Sequence, residues 1–346
     1  MKALLLTAPS RLGYVDFPDP PAPAPEEVRL RIRACGICGS DVHGWDGSTG
    51  RRQPPLIMGH EAAGEIAAVG AAVRDWRPGD RVTFDSTRSC GVCDCCRAGR
   101  VNLCADRRVF GVAPAEYRQH GAFAEFLNVP ARLLYRLDDR VPFSHAAMAE
   151  PVAVALHAVG RVRTAPADTA VVIGAGMIGL LVVQALRMAG VARIVAADLS
   201  AARLALAREL GATATCHSGT DDLVAEVNRL TGGRGADLAF EAVGLTPTVN
   251  LALSALRRGG SAVLVGNVSP ATQDFPLQAT VTRELNILGS CASAGEYPAA
   301  LAALASGAIR VAPLISAVAP LAEGADWFAR LSSREGTGFL KVILSP

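Results

Sequence analysis

The sequence predicts an α/β protein built from a β-rich part and a doubly wound parallel sheet. Three observations carry this. Residues 1–150 are punctuated by proline and glycine and hold short, alternating strand candidates. After Glu150, apolar strands alternate with helical stretches, the pattern of βαβ units. A glycine-rich turn, Gly174-Ala175-Gly176-Met177-Ile178-Gly179, stands between one such strand and the following helix.

The elements follow in order. Met1 to Ala8 is too short for a signal-peptide core and reads as a first strand. Pro18 to Pro25 holds five prolines and is a loop. Val28 to Ile32 alternates Val, Arg, Leu, Arg, Ile, which suits a half-exposed strand. Gly64–Val69 and Arg81–Phe84 are short strands between turn residues. Pro151–Val162 is an Ala/Val/Leu helix. Ala170–Ile173, Arg193–Ala197, Leu238–Glu241, Ala262–Val265 and Leu285–Leu288 are strands. Ile178–Ala189, Ala201–Leu210 and Val249–Leu256 are helices, the first two closed by Gly190 and Gly211. The end of the chain is expected to be an alanine-rich helix (Pro298–Ser306), a proline-punctuated loop and a final strand, Leu340–Leu344.

Composition narrows the function. The chain has 346 residues, 50% hydrophobic and 19% charged, which excludes an intrinsically disordered chain. Lys+Arg is 34 against Asp+Glu 32, a net charge of +2, with no basic footprint for nucleic acid or an anionic membrane. The most apolar stretch, Ala170–Val183, is too short to span a bilayer and carries glycines. A cytoplasmic protein with no nucleic-acid or membrane partner is expected. Nine cysteines in a chain without an export signal point to metal rather than disulfides.

The glycine turn is a dinucleotide site in complete context. Gly174 permits the tight turn, Gly176 lets a pyrophosphate approach the backbone, and Gly179 lets the helix pack on the strand. The helix N-terminus then faces the phosphates, with Met177 and Ile178 in its first turn. Asp198 ends the next strand, where a carboxylate accepts both adenosine ribose hydroxyls and repels a 2′-phosphate; NAD is favoured over NADP. Leu199 follows, and Arg203 one turn later is placed to stack on adenine or to meet a phosphate. Val265 and Gly266, at the end of a later strand, are also expected at the cofactor.

Two metal sites are expected. Cys90, Cys93, Cys96 and Cys104 have the spacing of a closed tetrahedral zinc site, with Cys95 a bystander. A dispersed set comprises Cys38, with Ser40 and His43 just after it, then His60 beside Glu61, and Glu150. Cys, His and Glu are zinc ligands, and three of them with one open position describe a catalytic site.

Together these residues carry a resemblance to the zinc-dependent medium-chain alcohol dehydrogenases. The matches run nearly end to end: Cys38-Gly39-Ser40-Asp41, Gly59-His60-Glu61, Pro78-Gly79-Asp80-Arg81-Val82, the four-cysteine lobe, Glu150-Pro151, Gly174 to Gly179, and Lys341-Val342. Cys-Gly-Ser-Asp-Val-His is most similar to the polyol (sorbitol/xylitol) dehydrogenase branch. The resemblance implies a GroES-like catalytic domain, residues 1–152 and 291–346, with a zinc lobe at about 86–105 and a Rossmann domain, 153–290, inserted. It implies two zinc ions, with Cys38 and His60 as fixed ligands of the catalytic one. Glu150 stands where ordinary alcohol dehydrogenases have a second cysteine, and Glu61 is a further candidate ligand. It implies hydride transfer from a secondary alcohol to NAD, with the proton leaving through Ser40 and His43, and Lys341 at the cofactor pyrophosphate. It also suggests a homo-oligomer, a dimer or tetramer. Threonine and sugar-alcohol phosphates are alternative substrates, and a non-catalytic NAD-binding protein is the alternative of another class. Two departures stand out: His120-Gly121-Ala122-Phe123-Ala124-Glu125-Phe126 replaces the usual Gly-Gly before Ala-Glu-Tyr, and Ser290-Cys291 stands where sorbitol dehydrogenases carry an Arg-Tyr-like pair. Trp45, Phe110 and residues 290–297 are expected to shape the substrate pocket.

Overall fold

The computed structural model describes residues 1–267, 274–333 and 338–346. The chain forms two compact units. One comprises Met1–Glu150, Tyr297–Gly307 and Val311–Pro346; the other, Pro151–Glu296 and Ala308–Arg310. The chain passes from the first to the second within the helix Ala149–Gly160.

The second unit is a six-stranded sheet. Its order is Ala214–His217, Arg193–Asp198, Thr169–Ile173, Ala236–Glu241, Leu256–Leu264, Asn286–Gly289, and every pairing is parallel. Thr169–Ile173 and Ala236–Glu241 are buried along their whole length, as strands covered on both faces must be. The chain starts at the central strand, winds outward one way, then returns and winds the other way. The order reverses between Thr169–Ile173 and Ala236–Glu241, and the crevice beyond the carboxyl ends of these two strands is where such sheets bind ligands. The helix Met177–Met188 buries Leu180, Leu181, Val182, Val183 and Leu186; each large apolar side chain so buried contributes about 1.5–3 kcal/mol.

The glycine turn is forced at atomic scale. Gly174 has φ +91°, a left-handed conformation, and a Cβ on Gly179 would lie 1.7 Å from the Gly174 carbonyl oxygen. Gly179→Ala must therefore push the helix off the turn. An NADH dissociation constant raised at least about tenfold, equivalent to about 1.4 kcal/mol, is expected by fluorescence titration.

The first unit is organised on an antiparallel ladder. Its main sheet runs Leu134–Arg136, Arg81–Phe84, Glu61–Val69, Glu27–Gly36, Lys341–Ser345, Ile315–Pro320, and Phe126–Pro130 also pairs with Glu27–Gly36. Two of the strands are longer than their alternation suggested: Glu27–Gly36 against Val28–Ile32, and Glu61–Val69 against Gly64–Val69. Among the extra residues, Ala34-Cys35-Gly36 and Glu61-Ala62-Ala63 are runs of consecutive buried residues, so period-2 alternation fails there. The stretch expected as a proline-punctuated loop contains the strand Ile315–Pro320 and the helix Gly324–Ser332. That helix inserts Trp327 and Phe328 into the core, where Phe328 packs edge-on against Phe123 with ring centroids 5.9 Å apart. Val249–Leu256, expected as one helix, ends at Ala255, and Leu256 already opens a strand.

Among the described residues no helix is long and apolar enough to cross a membrane.

Candidate functional site

The dispersed residues converge at one end of the main sheet of the first unit. Glu27–Gly36 delivers the chain to Ile37 and Cys38. Cys38 then caps the short helix Gly39–Gly44, its sulfur accepting from the Ser40 N–H at 3.5 Å and its own N–H donating to Asp41 Oδ2 at 3.4 Å. His60 and Glu61 stand where Glu61–Val69 begins, and Glu61 is directly opposite Gly36 in the ladder. Cys38, His60 and Glu61 each offer one ligand atom within 4.8 Å of the other two. Thiol, imidazole and carboxylate are the donor set that zinc takes in catalytic sites, so the residues fit that metal.

Glu150 lies outside the set whose ligand atoms fall within 4.8 Å of one another. Its carboxyl is near enough to feel His60, Glu61, Lys341 and Asp85, and burial pushes its pKa up to about 7.

The resemblance places Lys341 at the cofactor pyrophosphate. Its side chain is 3% exposed, and Nζ donates to both Glu61 oxygens at 2.9 and 2.6 Å and to the Ile37 carbonyl at 3.0 Å. All three protons of the ammonium are spent inside the first unit. Burial would lower the Lys341 pKa, but the negative charge of Glu61 and Cys38 overrides it and raises it.

Sequence reasoning missed the residues behind the ligands. Asp41 is fully buried; burial would raise its pKa, but His60 and Arg52 hold it well below the usual carboxylate range. Its Oδ1 lies 3.5 Å from His60 Nδ1, which has no hydrogen-bond partner. For His60, burial alone would lower the pKa, and Asp41 with Cys38 raises it well above the ordinary value. Asp41 had a local signal, its position three residues after Cys38 in a capping pattern; Arg52 had none. Ser40 is exposed, its Oγ donating to Cys38 Sγ at 3.3 Å, and His43 is exposed one turn on. Of the expected pocket residues, Phe110 is fully buried in the core against Phe84, and half-buried Trp45 packs on Phe328. The Tyr297 hydroxyl is fully buried without a partner, its ring stacked 4.9 Å from Tyr135.

The four-cysteine lobe is compact. Cys90, Cys93, Cys96 and Cys104 offer sulfurs within 4.8 Å of one another, and Cys95 is not among them. The peptide N–H groups of Cys96 and Ala105 hold the Cys93 thiol down at about 6. A clustered set of sulfurs ringed by N–H donors suits a closed zinc site that stabilises a loop.

In the second unit, the Asp198 carboxylate accepts from the Ala175 N–H at 2.7 Å and the Ser200 N–H at 2.8 Å. It thereby ties the glycine turn to the end of the neighbouring strand. Leu199 is 71% exposed beside it, and Arg203 lies in the first turn of the helix Ala201–Glu209, whose cap Ser200 accepts from the Arg203 N–H at 3.4 Å. Val265 and Gly266 donate their N–H groups to the Glu241 carbonyl at 2.8 and 3.0 Å, which binds the ends of the neighbouring strands Ala236–Glu241 and Leu256–Leu264.

Comparison with known proteins agrees with this geometry. Residues 24–139 match the alcohol dehydrogenase GroES-like domain and residues 178–306 the zinc-binding dehydrogenase domain. A probable D-xylulose reductase A of Emericella nidulans is 33% identical over 97% of this chain and 94% of its own length. Sorbitol dehydrogenase of Bacillus subtilis is 34% identical over 93% of this chain and 90% of its own. A zinc-binding dehydrogenase of Sinorhizobium meliloti, solved bound to NADP, superposes with a TM-score of 0.90 at 33% identity, covering 100% of this chain and 99% of that one. With a GroES-like unit that gathers Cys38, His60 and Glu61 and a Rossmann unit with its glycine turn intact, the chain belongs to the zinc-dependent medium-chain alcohol dehydrogenases, in their polyol dehydrogenase-like branch.

Proposed function

We propose that the protein oxidises a secondary alcohol of a polyol, or of a related polyhydroxy compound, to the ketone with NAD as hydride acceptor, and runs the reverse reaction. The observation that carries this is the gathering of Cys38, His60 and Glu61 within 4.8 Å, in a chain whose other unit is a dinucleotide-binding sheet. The activities named for the xylulose reductase and sorbitol dehydrogenase relatives support the substrate class. Cys38, His60 and Glu61 would hold a catalytic zinc, and Cys90, Cys93, Cys96 and Cys104 a structural one, two per chain. When bound, the catalytic ion supplies Lewis-acid polarisation of the reacting oxygen and lowers the pKa of the hydroxyl.

The chain's own residues do the rest. The Ser40 hydroxyl both donates and accepts, so it takes the substrate proton while releasing its own. His43, exposed on the same short helix, passes that proton to solvent. Lys341 neutralises Glu61 and holds its carboxylate in place. Asp41 faces His60 from behind and orients the ring.

Asp198 supports NAD over NADP. A carboxylate offers about four acceptor positions, and Ala175 and Ser200 use two. Two remain for the ribose hydroxyls, while a 2′-phosphate would meet a like charge. Asp198→Asn is expected to lower kcat/KM for NAD by about 10–100-fold, the value of one or two charge-assisted hydrogen bonds, and to raise kcat/KM for NADP. Steady-state kinetics with both cofactors checks this.

The reading as a whole is tested by NADH formation across polyols, threonine and sugar-alcohol phosphates, with NADP in parallel. Turnover on a polyol with NAD is expected. No turnover on any polyol, with both metals bound, would overturn it.

A further inference from the structure

Arg52 is an arginine with 4% exposure in a segment otherwise rich in exposed residues. Its backbone is pinned: the Ala113 N–H donates to the Arg51 carbonyl at 3.0 Å, and the Gln53 N–H to the Ala113 carbonyl at 3.1 Å. Its stem lies on the short catalytic helix so closely that a Cβ on Gly44 would come within 2.8 Å of Arg52 Cγ. Its head is shared. Nε and Nη2 donate to Asp41 Oδ1 at 3.2 and 2.9 Å, and the same Nη2 donates to Ser40 Oγ at 3.3 Å. One rigid guanidinium thus joins the carboxylate behind His60 to the hydroxyl in front of Cys38. Neutralising Asp41 requires only a positive charge, which a lysine would supply. Reaching Asp41 and Ser40 at once requires a planar fork.

We infer that Arg52 is the positioning residue of the Ser40 hydroxyl, fixing by its N–H bond which way Ser40 donates and accepts. The inference rests on the dehydrogenase reading above. A hydroxyl has one proton and two lone pairs. Arg52 occupies one lone pair, and Ser40 donates its proton towards Cys38 Sγ. One lone pair is then left to take a proton from substrate, while the hydroxyl's own proton turns from Cys38 Sγ to His43 and on to solvent, so the transfer has a single sense. No bond beyond these proton transfers forms or breaks, and Arg52 gives up no proton.

The test is a set of four proteins: wild type, Arg52→Lys, Ser40→Ala and the double variant. In Arg52→Lys the charge facing Asp41 is kept and the fork is lost. Release of zinc to a chelator is expected to stay within about twofold of wild type, and KM within about threefold. The kcat value is expected to fall about tenfold, with a raised solvent deuterium isotope effect, because general acid–base steps contribute about 10²–10⁴-fold. On the Ser40→Ala background the lysine substitution should cost less than twofold further, the non-additivity expected of two residues acting through one contact. Wild-type turnover in Arg52→Lys, fully multiplicative losses in the double variant, or rapid zinc release from Arg52→Lys would each overturn the inference. If wild type turns over no polyol, the functional reading fails by itself. The Ser40–Arg52 contact is then judged from the melting temperatures of the same four proteins, where additive shifts count against it and non-additive shifts for it.

Discussion

Cys38→Ser is expected to lower kcat/KM by about three orders of magnitude and to reduce bound zinc from two ions per chain to one. Three physical steps lead there. Serine at this position keeps the local fold, because Cys38 is an N-cap that accepts the Ser40 N–H, and serine is a stronger N-cap than cysteine. The helix Gly39–Gly44, and with it Ser40 and Asp41, therefore stays in place. What serine does not replace is the thiolate, since an un-ionised hydroxyl is a poor zinc ligand near neutral pH. The electrostatic assistance then lost is several kcal/mol, and about 4 kcal/mol corresponds to about a thousandfold in rate. Metal analysis and a melting curve separate this from misfolding: one zinc retained in the cysteine lobe, and a near-native transition. Full activity in this variant would remove the thiolate from the mechanism. Cys95→Ser, altering a sulfur outside the lobe's set of four, is the control and should retain both ions.

The legibility of this protein in its sequence followed the distance along the chain over which each feature is built. The glycine turn and the four-cysteine lobe are local, so spacing is nearly geometry: Gly174 to Gly179 must pack strand on helix, and four sulfurs within one loop meet without help from the rest of the chain. The doubly wound sheet was legible for a related reason, since strands buried on both faces are continuous apolar runs such as Thr-Ala-Val-Val-Ile at 169–173. Pairing across the fold was not legible. Lys341 meets Glu61 only because the last strand, Lys341–Ser345, lies beside Glu27–Gly36, which pairs with the strand that begins at Glu61. The nearness of Glu61 to Cys38 and His60 rests on the same long-range arrangement. Arg52 carried no periodicity or spacing signal, because its role depends on a loop folding back over a helix of six residues. The helix Gly324–Ser332 was hidden by the prolines and glycine that precede it, although Trp327 and Phe328 anchor it to the core.

Lys341→Met is the second large effect, and it bears on stability before catalysis. Methionine fits the stem of the lysine but removes the cation. Glu61, 1% exposed, then loses its partner, and the Ile37 carbonyl loses its donor. Removing one member of a buried ion pair costs about 3–5 kcal/mol, because the remaining charge has no compensation from water. In metal-free protein, where no zinc offsets Glu61, the urea midpoint of the GroES-like unit should fall by that amount divided by the m-value. Zinc loading should recover part of the loss if Glu61 is a ligand, since the ion supplies the missing positive charge. The pH dependence has a definite sign. Lys341 titrates above its ordinary 10.5 in the fold, so the stability it contributes is fully present below that pH and is lost only as pH rises through the folded value. The wild-type advantage over Lys341→Met should therefore persist through neutrality and shrink in strong alkali. A side chain resting on a cofactor pyrophosphate would behave otherwise: its replacement would leave the metal-free protein as stable as wild type and would weaken only NAD binding. Unfolding curves of the two metal-free proteins decide between these roles before any substrate is added.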